Sequence, residues 1–584
     1  MRIQRILRPI KYFSVADGLV LALVATLIYG VVGFGQQWSS EFHPATEIDL
    51  SIWALPRYAL FSAIRGMSAY LISLAFSLIV GYAAAKSKYA EWFLIPMLDI
   101  MQSIPVLGFL PGLVLTLIAL FPKTNFGLEL AAILMIFTGQ VWNMTFSFYG
   151  SLKSLPTDFK EASSVIGLNW RQRLMQIEMP FAALGLAWNS LLSMAGGWFF
   201  LSVCEAFTLG AREYRLPGIG SYMAVAVARG DRGAMIAGVV GMATLIILMD
   251  IVIWRPVLAW VHRYRIEDVP GADSTEPWIQ LWIRESWILQ IFHSLVRRLK
   301  PGFHRLRKIL RQRQSVIRKS PILQQVRDSI WRDQILSWIG LLAAVAVIGV
   351  SLYGVYRLTV GLLQQPAFTW ILLVRNSMWT LLRVFIAVML STVWALPMGI
   401  WIALSPQRLR IAQPVIQVLA SFPAPMLYPL AIAVFFGMNI PFDIGSMFLM
   451  MLGVQWYILF NVMAGAMRIS SELRLTMRLM NNSRWDQWWK LYLPSVFPYL
   501  VNGWLTAAGG AWNASIVAEI VSYQGTVLET EGLGATISRA AASQNFGLLS
   551  ASLFMMVVIV ILLNRTVWAK LGEIAQNRFR IEVM

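Results

Sequence analysis

Runs of about twenty apolar residues, the length that carries an α-helix across roughly 30 Å of hydrocarbon, recur along this chain of 584 residues. Six fall near 17–36, 68–85, 94–120, 127–150, 184–205 and 234–260, and six more near 336–358, 378–404, 413–437, 444–466, 497–520 and 547–568. With 58% of the residues hydrophobic and 13% charged, the chain carries more apolar surface than a water-soluble domain buries. The expected fold class is an all-α polytopic membrane protein of about twelve transmembrane helices. The first run follows a basic segment, MRIQRILRPIK, but lacks a small-x-small cleavage site, so it reads as a retained helix.

The formal net charge of +19 raises the question of nucleic acid, and the placement of the charge answers it. Lys and Arg gather at the N-terminus, at Lys86 and Lys88, between 151 and 183, through the centre of the chain, at 406–410 and between 467 and 490. The intervening segments, such as EFHPATEID and ETEG, are neutral or acidic. That alternation is the positive-inside pattern, and it predicts a bacterial plasma (inner) membrane protein with both termini cytoplasmic and no nucleic-acid partner. One cysteine, Cys204, excludes an internal disulfide framework, and four scattered histidines offer no metal-ligand spacing, so no metal site is expected. A central stretch, 262–333, is too charged to span. From Arg284 to Lys319 it holds eleven Lys or Arg and one acidic residue, with apolar residues at near-helical spacing. It reads either as an amphipathic helix lying on anionic membrane lipid or as a solvated tether.

The two halves repeat. Gly81, Ser87, Pro96, Pro105 and Pro111 match Gly399, Ser405, Pro414, Pro423 and Pro429 at a constant offset of 318 residues. After a four-residue difference, Trp142, Pro180, Gly196, Trp198, Glu205, Gly218, Gly220 and Gly233 match Trp456, Pro494, Gly510, Trp512, Glu519, Gly532, Gly534 and Gly547 at an offset of 314. The predicted domains are a first unit, 1–261, the linker, 262–333, and a second unit, 334–584. Six helices per unit is an even number, so both copies enter the membrane in the same orientation, with a pathway at their interface. A twelve-helix secondary transporter shares that plan, but its helices would need a titratable relay, and the first half supplies little beyond Asp99 and Glu129. A membrane enzyme would need a cluster of nucleophile, base or metal ligands, and none appears.

Between the fourth and fifth spans each half carries about thirty cytoplasmic residues. In the first, a helix-forming stretch is broken by Gly167 and followed by a second short helix near Pro180, a bent element suited to docking in a groove. The stretch EASSVIGLNWRQRLMQIEMP resembles the EAA motif of ABC-importer permeases, with Ser163 its one departure. That resemblance implies two tandem six-helix type I permease units. It implies ATPase-coupling roles for Glu161, Ala162, Ser163, Gly167, Ile177 and Pro180. The second copy is degenerate: Leu475, Thr476 and Met477 replace the acidic-small-small triplet and Asn481 the glycine, while Leu491 and Pro494 remain. Asparagine tolerates the left-handed conformation, so the bend is expected to survive while a charged contact is lost. Unequal docking of the two ATPase sites is the consequence.

No GxxxxGK[ST] phosphate loop exists in the chain. The resemblance thus implies no enzyme and no cofactor on this chain, with ATP and Mg held by two partner ATPase subunits and cargo delivered by an extracytoplasmic substrate-binding protein. The segments SIPVLGFLP at 103–111 and SFPAPMLYP at 421–429 are similar to an element of the nitrate, sulfonate, taurine and bicarbonate branch, as is the later order Trp, Glu, Gly-x-Gly in both halves. A small inorganic or organic anion is the substrate class this implies. Departing from that branch, each glutamate stands far from its glycines. Ser103, Pro105, Trp142, Ser421, Pro423 and Trp456 are candidates for the path, because prolines free backbone carbonyls that only protein or a cavity can satisfy in lipid. An ordinary kink is the alternative. Glu205 and Glu519, near membrane boundaries, are outer-gate candidates. Pairing with Arg212 or Arg229 and with Arg539, or with backbone donors, is expected.

Overall fold

The computed structural model describes residues 15–103, 105–209, 212–261, 263, 356 and 359–579. Apart from Arg263 the linker, and apart from Tyr356 the span at 336–358, lie outside the described residues. Residues 30–272 and 365–584 form one compact unit, which holds the matched helices of both repeats; the other comprises 1–29 with 273–364.

In the first repeat α1 (Val15–Ser39), α2 (Leu55–Lys86), α3 (Lys88–Ser103), α4 (Leu110–Leu120) and α5 (Phe126–Lys153) precede a short helical pair, α6 (Thr157–Val165) and α7 (Trp170–Arg173). A π-helical turn, Leu174–Glu178, leads into α8 (Met179–Cys204), a hairpin of β1 (Ala206–Leu209) and β2 (Arg212–Arg215), α9 (Ile219–Ala228) and α10 (Arg232–Met249). A second π turn, Asp250–Trp254, joins α10 to α11 (Arg255–Val261). The second repeat reproduces this order as α12 (Ala367–Ala403), α13 (Pro406–Ser421), α14 (Tyr428–Gly437), α15 (Phe442–Met467), α16 (Ser471–Leu479) and α17 (Arg484–Gln487). After a π turn at Trp488–Tyr492 come α18 (Leu493–Ala518), β3 (Ile520–Tyr523), β4 (Thr526–Glu529), α19 (Leu533–Ala542) and α20 (Phe546–Leu563). A last π turn at Asn564–Trp568 precedes α21 (Ala569–Phe579). Caps repeat too: Asp231 accepts from the Ala234 N–H and Asn545 from the Leu548 N–H, each at 3.0 Å, fixing where α10 and α20 begin.

In each repeat the core is a three-helix stack, α2 against α5 against α8 and α12 against α15 against α18. Gly81 lets α2 close on Phe148, and Gly399 lets α12 close on Val462, where an added Cβ would come within 3.0 and 2.7 Å. Met144, Phe148, Leu152, Ala182 and Leu186 fill the first stack. At Gly197 and Gly510 an added Cβ would stand 2.2 Å from Gln140 and 3.0 Å from Tyr457, whereas Gly509 has nothing within 4 Å.

Among the described residues seven helices are long and apolar enough to cross a bilayer, eight if α13 and α14 count as one bent span. The spans expected at 94–120 and 413–437 are not single helices. Each breaks at its proline into two helices joined by a 3-10 turn, Val106–Phe109 or Ala424–Leu427, and in the second repeat the bend is 84°. The run expected at 68–85 is longer than its apolar part, beginning at Leu55. The two hairpins were not expected. They occupy the extra residues between each glutamate and its glycines.

The repeats meet through α13 on α8 and α10, and through α3 on α20. Asp250 accepts from Gln417 Nε2 of the other repeat and from Arg255 Nε, both at 2.9 Å. Gly108 lies so near Leu553 that a Cβ would stand 2.0 Å from its side chain.

Candidate functional site

The loop between α5 and α8 turns on Gly167, whose φ of +71° is left-handed, and the loop between α15 and α18 turns on Asn481, with φ +54°. The backbone bend is therefore the same in both copies. Glu161 and Ala162 are exposed on α6, Ser163 is buried beneath them, and Ile177 and Pro180 are half-buried where the π turn enters α8. Leu491 is buried, Pro494 half-buried and Asn481 exposed at the equivalent places. The first loop is braced ionically: Glu178, 1% exposed, receives Lys86 Nζ at 2.5 Å from the end of α2 and lies 3.1 Å from Arg173 Nε. In the second, Tyr492, Leu404 and Gln487 stand at those positions. There Tyr492 Oη lies 3.5 Å from Gln487 Oε1, Gln487 Nε2 donates to the Asn482 carbonyl at 3.1 Å, and Arg474 Nη1 donates to the Leu404 carbonyl at 3.4 Å. Asp486 bonds Lys490 at 2.7 Å and Ser483, which together hold its carboxyl below the usual carboxylate range.

At the opposite end of α8 the glutamates are wholly buried, and their cations are not the ones expected. Arg65 of α2 donates Nη1 to Glu205 and grips Glu129 with Nε and Nη2, each at 2.8 Å. Ser62 donates to Glu205 at 2.7 Å, and the Gly220 N–H, at the start of α9, donates to its other oxygen at 2.7 Å. In the second repeat Arg383 Nη1 lies 3.2 Å from Glu519, Thr380 donates to it at 2.7 Å, and the Ala535 N–H at 3.1 Å. Arg212 and Arg229 are exposed, and Arg539 pairs with Glu529. The expected pairing with those three arginines is thus wrong, while the backbone donors are present. The hairpin and the following helix supply buried apolar and backbone groups around each glutamate, and the cation comes from the long second helix, Arg65 or Arg383.

The fixed offsets extend through these networks. Ser62, Arg65, Glu129 and Ile219 correspond to Thr380, Arg383, Asp443 and Leu533, and the Ile219 and Leu533 N–H groups donate to Ser62 and Thr380. The glycines make room for the carboxylates: a Cβ on Gly218 would sit 2.3 Å from Glu205, and one on Gly532 2.1 Å from Glu519. The copies differ in enclosure. Glu129 is fully buried, whereas Asp443, 3.7 Å from Arg383, is 70% exposed.

The sequence profile of the binding-protein-dependent transport system inner membrane components matches twice, over residues 74–253 and 395–567, together more than half of the chain. The chain belongs to that family. It is 27% identical over 143 residues to the nitrate import permease protein NrtB of Leptolyngbya laminosa, covering 24% of this chain and 50% of that one. It is 22% identical over 184 residues to the taurine transport system permease protein TauC of Escherichia coli (strain K12), covering 32% and 63%. To the glycine betaine/proline betaine transport system permease protein ProW of the same strain it is 26% identical over 247 residues, covering 40% and 60%. The match thus spans about half the length of the nitrate permease.

In this inner membrane component four of the path candidates, Ser103, Pro105, Ser421 and Pro423, stand at the break in the third helix of each repeat. Pro105 and Pro423 are buried in extended backbone, ending α3 and α13 outright rather than kinking them. The freed Val106 N–H is donated to Asn513 Oδ1 of the other repeat at 2.9 Å. Ser103 ends α3. Ser421 bonds the Gln417 carbonyl at 2.8 Å and faces a small cavity between the repeats, shared with Trp198, Asp250, Trp254 and Gln417. Trp142 and Trp456 are half-buried in α5 and α15, the latter edge-on to Trp394 at 6.0 Å, and neither adjoins that cavity. Arg65 and Arg383 went unread in the sequence. Arg65 lies just before the apolar run at 68, so a span drawn from hydropathy leaves it out. The fixed offset to Arg383 was the signal that could have found it.

Proposed function

We propose that this chain forms the entire translocation path of an ATP-driven importer for a small inorganic or organic anion and performs no hydrolysis itself. One observation carries the reading: two loops of the same left-handed bend, at Gly167 and Asn481, project from α6–α7 and α16–α17 in a family whose members are inner membrane transport components. Each bend presents a short helix that fits the groove of a separate ATPase subunit bearing ATP and Mg. Two such subunits, one beneath each loop, draw the loops together on ATP binding and rock the repeats about their interface. Both termini then face the cytoplasm, the Glu205 and Glu519 networks stand at the outer end, and a substrate-binding protein delivers cargo there. The anion follows the names of the nitrate and taurine permeases.

Purification of the chain from its native membrane, mass spectrometry of co-purifying chains and an ATPase assay of the complex test this. A stoichiometric P-loop ATPase whose activity is lost with Gly167→Val is expected. An intact complex without any ATPase would sink the reading and revive a twelve-helix secondary transporter.

A further inference from the structure

The two loops share a shape and differ in charge. At the bend each exposes the same apolar pair in register, Val165 and Ile166 (87% and 71% exposed) and Leu479 and Met480 (77% and 69%). Each adds an exposed tryptophan from the following short helix, Trp170 or Trp485. Such a knob suits one kind of groove. In their sequences the signs part: α6 carries Asp158 and Glu161 against Lys160, and α16 carries Arg478 against Glu472, with Arg474 half-buried on the Leu404 carbonyl. From 154 to 178 three acidic residues balance three basic ones, while from 468 to 492 there are five basic and two acidic. Glu161 is replaced by Leu475, so an arginine or lysine that meets the first loop finds no acceptor on the second.

A pair of identical subunits presents two identical grooves. A rim whose charge complements α6 opposes α16, and like-charge juxtaposition is a strong discriminator between otherwise similar partners. Resting on the transporter reading, we infer that the loops dock two different ATPase chains, and that the groove beneath 471–492 is rimmed with acidic residues. Similar apolar knobs keep both partners in one structural class, and the difference in charge fixes which sits under which repeat.

The test uses the full chain in its native membrane, with a photo-crosslinking amino acid placed at Val165 or at Leu479 and the captured polypeptides sequenced by mass spectrometry. Two different polypeptides, each containing a GxxxxGK[ST] loop, are expected. The same polypeptide at both positions, or capture at one position alone, overturns the inference and leaves the transporter reading standing. No P-loop polypeptide at either position overturns both. Combining Asp158→Lys with Glu161→Lys is expected to abolish capture at Val165 and leave capture at Leu479 unchanged; loss at both, or at neither, also overturns it.

Discussion

Arg65 holds two carboxylates where no water reaches, and removing one partner of a buried ionic cluster costs about 3–5 kcal/mol because the other charges remain. Arg65→Leu is expected to destabilise the protein by that order, read as a fall in the thermal midpoint in nanodiscs. Arg383→Leu should cost clearly less, since Asp443 is 70% exposed and retains water. Equal losses would show that enclosure does not set the strength of these networks. Gly218→Ala probes the same site from the backbone side, forcing a Cβ against Glu205 at 2.3 Å. A loss of about 1–3 kcal/mol is expected, whereas Gly509→Ala, with nothing within 4 Å, should be tolerated. The sequence singled out Glu205 and Glu519 but not their partners. Charge at a membrane boundary is conspicuous, whereas an arginine contacting a residue 140 positions away leaves no local trace.

Among the elements, the bends were the most legible. Gly167 and Asn481 each announce a helix end, because few other residues adopt left-handed backbone without strain of about 1–2 kcal/mol. Asn481→Gly should therefore preserve or slightly raise coupled ATPase activity in the purified complex, while Asn481→Val should lower it and open the loop to protease. If Asn481→Val is neutral on both measures, the bend is not what couples. Less legible were the breaks at Pro105 and Pro423, because proline kinks a helix or ends it and only tertiary packing chooses. At Val106 the choice is visible: the freed N–H finds Asn513 in the other repeat. Strands of four residues are too short for an alternation to be read, so the hairpins were hidden as well.

Across the whole molecule the repeats are joined by a polar contact whose residue types are exchanged at the related positions. Asp250 of α10's π turn bonds Gln417 of α13; at the positions related by the repeat, the acid is Asp99 and the amide Asn564. Gln417→Asp sets a second carboxylate against Asp250 and is expected to lower the thermal midpoint and transport. Adding Asp250→Asn gives the pair the residue types found at the related positions and should restore both. Failure of the double variant to recover would mean that the acid at 250 is needed in place for Arg255 rather than for the joint. The repeat and the span order were plain in the sequence because both are written in residue spacing, while a contact between distant helices is not.

Four π turns stand in register, Leu174–Glu178 with Trp488–Tyr492 and Asp250–Trp254 with Asn564–Trp568. A π turn takes up one residue more than the α-helix around it allows, and the 314-residue register runs through both pairs without a slip. These distortions therefore belong to the repeated unit and not to one half alone. The bracing at Glu178, the acid on the first loop and the acid at Asp250 differ between the copies, so the two halves share one geometry and differ in sidedness.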